Sequence, residues 1–277
     1  MASIPPEVAA LLGPDPRDRS GKGAGRVLSG NGRVARIGPP EVMAREAFVL
    51  GLDALPLTGP PLVAAGEGWV VTAEVPDREE PWSDGDLHGA LTDLARLHDG
   101  YEAALPAGAG AVLRQPFDGA STDRLLAPAR PHADRLPPLL ARLLADPTPL
   151  LDGLRREPVT LLHGDPWPDN VRRPGPERRV WVDWEQASAG PAAADLATWL
   201  DQTPWYLRRE IDAGEHLSVY LAARRRPIDP AAFHRAVDTA SVVWFFAFDV
   251  PELADAPPWL AEHMVSAKAE AASRVLG

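Results

Sequence analysis

Apolar positions follow two different periods along the chain. Up to about residue 75 the pattern is mostly short and strand-like: Arg26–Ser29 and Arg33–Ile37 flank Gly30-Asn31-Gly32, and Leu62–Ala65 and Trp69–Glu74 flank Gly66-Glu67-Gly68. Asn-Gly between two short apolar runs predicts a tight hairpin, because both central residues of such a turn need positive φ. Helices are predicted at residues 5–12 and 41–52. Residues 15–20 lack apolar alternation, so the segment before the hairpin reads as irregular.

From Ser83 onward the period is helical. Ser83 is a candidate cap with Asp84 and Asp86 in the first turn, and Leu87, Ala90, Leu91, Leu94, Leu97 and His98 share one face. Residues 100–132 carry the least pattern, with a short helix expected at 122–127. Further helices are expected at 136–145, 149–156, from Gly190-Pro191 through Asp201, and at 204–224, 230–248 and 257–276. Val242–Phe248 is apolar all round, as in a buried spine.

One stretch interrupts this helical half. An apolar strand from Val159 runs into His163-Gly164-Asp165; Asn170 follows after four residues; a turn at Pro174–Glu177 leads to a second strand that ends on Asp183. Phosphoryl transfer to a hydroxyl needs such a set: one carboxylate to take the hydroxyl proton, and a carbonyl-type oxygen with a second carboxylate to hold Mg²⁺ against nucleotide phosphates. Asp165 fits the first role, and Asn170 and Asp183 the others. Zinc is disfavoured, since no second His or Cys stands nearby at ligand spacing.

The order His163-Gly-Asp165-x4-Asn170, hairpin, Asp183-Trp184-Glu185, then Gly190-x4-Asp195-Leu-Ala197 resembles the aminoglycoside phosphotransferase and choline kinase family of protein-kinase-like enzymes. The resemblance implies an α+β, two-lobed fold: a small antiparallel β-sheet lobe over residues 1–75 and a mostly helical large lobe over 76–277. It implies transfer of the γ-phosphoryl of ATP, or another nucleoside triphosphate, to a hydroxyl of a small molecule. Asp165 would be the catalytic base, Asn170 and Asp183 the Mg²⁺ ligands, and His163 and Asp195 supports of the catalytic loop. Arg36, paired with Glu46, would steady the phosphates, with Lys22 as a competing contact and Gly23 in a phosphate-covering loop. Glu74 and Val75 would form the hinge that receives adenine. Asp201, Glu215, Asp249, Glu252 and Asp255 are the acidic side chains available to a cationic substrate.

Composition narrows the partners. A net charge of −11 argues against nucleic acid and favours a cationic small molecule. Only two of the 28 basic residues are lysines, Lys22 and Lys268, so an arginine at position 36 is physically apt for phosphate. With no cysteine, no apolar leader and no membrane-length run, the expectation is a cytoplasmic protein, a monomer or homodimer with no membrane partner. An antibiotic or other cationic natural product is one expected substrate class, as in antibiotic resistance, and an amino alcohol, sugar or other metabolite the alternative. A nucleotide-binding pseudokinase is the alternative from another class, which joint retention of Asp165, Asn170 and Asp183 disfavours.

Overall fold

The computed structural model describes residues 4–20 and 25–276; Lys22 and Gly23 lie outside the described residues. The small lobe comprises α1 (Pro6–Leu12), β1 (Arg17–Asp18), β2 (Arg26–Gly30), β3 (Arg33–Ile37), α2 (Pro40–Leu50), β4 (Leu62–Gly66) and β5 (Trp69–Ala73). Its strands form one antiparallel sheet in the order β1-β2-β3-β5-β4. Asn31 and Gly32 take φ of 51° and 65°, which is the double left-handed turn that Asn-Gly favours. Side-chain alternation along β3 buries Ala35 in a cluster with Val8, Leu12, Leu28 and Val71, under α1. The same alternation sends Arg36 to the other face, toward α2.

Residues 17–18 correct the expectation of an irregular start. They pair with Ser29 and Leu28 as an edge strand. Both are exposed, so no apolar alternation is required of them, and Asp18 accepts a hydrogen bond from Arg26 Nε at 2.9 Å.

The large lobe continues with α3 (Asp84–Tyr101), α4 (Ala109–Val112), α5 (Gly119–Leu126), α6 (Pro138–Ala145) and α7 (Thr148–Arg155). It then runs through β6 (Val159–Leu162), β7 (Val171–Gly175), β8 (Arg178–Trp181), β9 (Ser188–Pro191), α8 (Ala193–Leu207), α9 (Ala213–Ala223), α10 (Pro230–Trp244) and α11 (Pro258–Leu276). Ser83 and Asp86 form a reciprocal capping box at the start of α3. Leu87, Leu91 and Leu94 of α3 are fully buried in one apolar core with Trp199, Val242, Val243, Phe245 and Phe246.

Three helix boundaries differ from the sequence reading. Gly190-Pro191 closes β9, antiparallel to β6, rather than opening a helix. Helix α8 carries Pro204 inside its last turn and stops at Arg208, whose φ is 52°; Asp212 then caps α9 as a separate helix. Beyond α10, Phe245–Asp249 forms a π-helical turn, which leaves Phe248 58% exposed although Phe245, Phe246 and Ala247 are buried. Among the described residues no helix is long and apolar enough to cross a membrane.

Candidate active site

Strand β6 ends at Leu162, and the chain turns through Gly164 with φ of 86°. Only glycine fits there: a Cβ would lie 2.0 Å from the carbonyl oxygen of Gln186. The turn is braced from α8. Asp195, 1% exposed, accepts hydrogen bonds from the amides of His163 (2.9 Å) and Gly164 (3.0 Å). Asp195 is held in turn by His98 Nε2 at 3.1 Å, and His98 Nδ1 lies 2.8 Å from Tyr220 Oη. Tyr220 Oη accepts from Arg224 Nη1 at 2.7 Å, so its own proton goes to His98 Nδ1, and His98 donates from Nε2. The loop thus rests on a buried chain of hydrogen bonds reaching from α8 to α9.

His163 is fully buried between Trp181 and Trp184 (ring centroids 5.4 and 4.4 Å) and donates from Nε2 to Val182 O at 3.0 Å. Burial pushes its pKa down, the nearby Asp195 and Asp183 charges opposing, so it serves as neutral scaffolding. Trp184 is likewise core, whereas Trp167 is half-buried.

Asp165 follows the turn. Its Oδ2 accepts from Asn170 Nδ2 at 2.8 Å and from Trp167 Nε1 at 3.2 Å. Burial, then the charge of Asp183, pushes its carboxyl up to about 6, suited to a base working near neutral pH. The Asn170 amide nitrogen also donates to Asp165 O at 2.8 Å, which leaves the amide oxygen to face a cation.

Asp183 stands just past β8 with φ of 65°. Arg36 Nη2 lies 2.7 Å from both Asp183 Oδ1 and Glu185 Oε2, and Arg36 Nε lies 3.3 Å from Glu46 Oε2. The expected Arg36–Glu46 pair is therefore present, but as part of a wider cluster. Burial pushes Glu46 up to about 7, Asp183 and Glu185 adding to the push and Arg36 opposing it. Arg45 Nε donates to Glu185 O at 3.0 Å, tying α2 to the segment after β8.

These residues fit a divalent cation. Glu46, Asp165, Asp183 and Glu185 outnumber the one guanidinium among them, Arg36, which is shared between the buried oxygens Asp183 Oδ1 and Glu46 Oε2 and also pairs with Glu185. Among the described residues no group of three or more Asp, Glu or His side chains could hold a metal by itself. Hard oxygen donors shared with phosphate oxygens suit Mg²⁺, which takes one or two protein carboxylates and completes its shell elsewhere.

The remaining expected residues divide. Glu74 N–H donates to Gly32 O at 2.8 Å, continuing the β3–β5 ladder, so its amide is not available to an adenine edge. Asp201 and Asp249 line a cavity of about 660 Å³ together with Asp165, while Glu252 and Asp255 line an adjoining one of about 630 Å³ that shares Asp201 and Asp249. Glu215 belongs to neither: it is exposed on α9, 3.4 Å from His88. Sequence reasoning assigned no role to Glu185 and Arg45, although the burial of Arg45 and Glu46 together follows from the phase of α2 around Met43 and Val49.

A family model for the phosphotransferase enzyme family matches residues 67–236, more than half of the chain. Among curated proteins, none matches significantly by sequence. Similar solved structures include amicoumacin kinase hAmiN in complex with AMP-PNP, Ca²⁺ and Ami (14% identity, TM-score 0.71, covering 97% of this chain and 92% of that one). A choline/ethanolamine kinase family protein from Mesorhizobium loti (20% identity, TM-score 0.59) covers 98% and 91%, and ADP-bound aminoglycoside phosphotransferase APH(2'')-Ib (12% identity, TM-score 0.63) covers 97% of each chain. With its five-stranded small lobe, its helical large lobe and the matched stretch spanning Asp165, Asn170 and Asp183, the chain belongs to the phosphotransferase enzyme family and is a small-molecule kinase with a protein-kinase-like fold.

Proposed function

We propose that the protein transfers the γ-phosphoryl group of ATP to a hydroxyl of a small molecule bound in the 660 Å³ cavity. The observation that carries this reading is Asp165: a carboxylate oriented by Asn170 and Trp167, raised to about 6, at the wall of a cavity large enough for a whole acceptor. The hydroxyl donates its proton to Asp165 as its oxygen bonds to the γ-phosphorus; the bond from that phosphorus to the β–γ bridging oxygen breaks, and ADP leaves. Bound between Asn170 and Asp183, Mg²⁺ would neutralise charge on the β- and γ-phosphates.

Arg36, fixed on Glu46, Asp183 and Glu185, supplies the positive charge nearest the metal-binding carboxylates. Asp195 keeps the loop rigid through two backbone amides, so that Asp165 is aligned before substrate arrives. Nucleotide-bound relatives, the AMP-PNP complex of hAmiN and the ADP complex of APH(2'')-Ib, support ATP as donor. The acceptor classes suggested by the relatives are antibiotics and amino alcohols.

The test is Mg-ATP consumption by the purified chain against aminoglycosides, nucleoside and peptide antibiotics, choline, ethanolamine, homoserine and simple sugars. Turnover with one class, reduced by about 10²-fold or more in Asp165→Asn, is the expected result. Equal turnover in wild type and Asp165→Asn would refute the assignment of the base.

A further inference from the structure

The charges that face the cavity are not those of a simple cation receptor. Asp201 is already engaged: Lys268 Nζ lies 2.7 Å from its Oδ2, and Ser241 Oγ donates to the same oxygen at 3.0 Å. Lys268 is 7% exposed, so the cation of this pair is held internally while Asp201 is only partly buried. Glu185 is held by Arg36, and Asp195 by two amides and His98. Beyond the base itself, Asp249 is the lining carboxylate with no cation within 4 Å among the described residues, and burial pushes it up to about 6, so part of its population is neutral near that pH.

Two arginines lining the same cavity are differently placed. Arg114 and Arg124 are exposed, and among the described residues neither has a carboxylate within 4 Å. Arg124 donates to Ser121 Oγ at 3.2 Å, another lining residue on α5. Arg114 is anchored by its backbone: its carbonyl accepts from Ala189 N at 2.8 Å, and it bridges to Ser188 on β9, next to the segment that walls the base. Arg45 is near enough to feel it: burial and then the charge of Arg114 lower the pKa of Arg45, with Glu41 and Glu185 opposing. In a chain of net charge −11, uncompensated positive charge at the catalytic cavity is local and specific.

We propose that the phosphoryl acceptor is an anionic hydroxyl compound, its carboxylate or phosphate group held by Arg114 and Arg124 while its hydroxyl reaches Asp165. Guanidinium groups suit this task because their planar forks match the oxygens of either oxyanion. The proposal rests on the phosphotransferase reading above, and it replaces the expectation of a purely cationic substrate drawn from net charge. Asp249, beside the exposed ring of Phe248, leaves room for an amine on the same molecule.

The experiment uses the full chain and matched pairs that differ in the anionic group: serine and ethanolamine, homoserine and 3-aminopropanol, glycerate and glycerol, glycerol 3-phosphate and glycerol. Ligand-observed NMR without nucleotide reads binding, Mg-ATP titration reads the nucleotide site, and coupled ADP release reads turnover. The expected result is binding of the anionic member of at least one pair in preference to its partner, carboxylate and phosphate arms distinguishing the two oxyanions. Arg114→Gln and Arg124→Gln should each raise KM for that member by about ten-fold or more, with kcat and Mg-ATP affinity within about three-fold. Both side chains are exposed, so the variants should fold as wild type does. Preference for the uncharged or cationic partners, no binding of any anionic member at millimolar concentration, or unchanged KM in the double variant would each overturn the proposal. Loss of Mg-ATP binding in wild type would count instead against the phosphotransferase reading, because acceptor binding is measured without nucleotide.

Discussion

Replacing Asp165, the proposed base, with its neutral isostere should make the folded protein more stable while removing its activity. Asp165 is raised from an ordinary 3.8 to about 6, chiefly by burial and by Asp183. Its folded form therefore binds a proton more tightly than its unfolded form. Between pH 4 and 6 the folded state holds more protons, so stability falls as pH rises through that window, and the full cost is present above pH 6. A rise from 3.8 to about 6 corresponds to about 3 kcal/mol, and water reaching the half-buried carboxylate reduces this to about 1–3 kcal/mol. Asparagine cannot ionise, and its one oxygen can still accept from Asn170 or Trp167. At pH 7.5, without nucleotide, Asp165→Asn should raise Tm by about 2–6 °C. At pH 4 the gain should vanish, because wild-type Asp165 is then mostly protonated. Thermal unfolding followed by circular dichroism from pH 4 to 9 measures both. A Tm below wild type at pH 7.5, or a difference that does not change with pH, would refute the claim that the site stores electrostatic strain at its base.

Other consequences are equally direct. Wild-type kcat/KM should fall about ten-fold per pH unit below about pH 6 as Asp165 takes up its proton, which a pH–rate profile reads. Asp195→Asn loses an acceptor for the His163 and Gly164 amides and should lower kcat by about ten-fold or more with KM for ATP little changed, as steady-state kinetics would report. Gly164→Ala places a methyl 2.0 Å from Gln186 O at a left-handed φ and should cost about 3 kcal/mol or more in denaturant unfolding. Asp183→Asn should weaken nucleotide binding in Mg²⁺ far more than in EDTA, a contrast that calorimetry in the two buffers resolves.

The parts of the fold that were legible in the sequence are those specified by neighbours in the chain. Asn31-Gly32 encodes its own turn, Ser83 and Asp86 their own capping box, and the face from Leu87 to His98 its own burial. The spacing from His163 through Asn170 to Asp183 was legible because one loop and one hairpin carry all of it. Features set by contact between distant segments were not. The link from Arg45 to Glu185 joins positions 140 residues apart and exists because α2 and the segment after β8 come together, and Arg36 on β3 meets Asp183 across an equally long stretch of chain. Glu215 looked the same as Asp201 in sequence, an acid on a large-lobe helix, yet one is exposed beside a partly buried histidine and the other pairs with a buried lysine. Pro191 and Pro204 were read as helix starts by local rule, whereas pairing of β9 with β6 and packing of α8 against α10 decided otherwise.

The two lobes are unequal in what holds them. The small-lobe core is a cluster of Val8, Leu12, Leu28, Ala35 and Val71, to which α1 contributes two members, while the large lobe draws on a far larger cluster fed by several helices. Local opening should therefore follow a hierarchy. Amides of β2, β3 and β5 should exchange with deuterium through sub-global openings of low free energy, while those of α3 and α10 wait for complete unfolding. Any proteolytic nick that detaches α1 would remove Val8 and Leu12 and leave the sheet with one bare face. The small lobe is thus the part with the smaller structural reserve, and any ligand that binds it would add order that its own core does not supply.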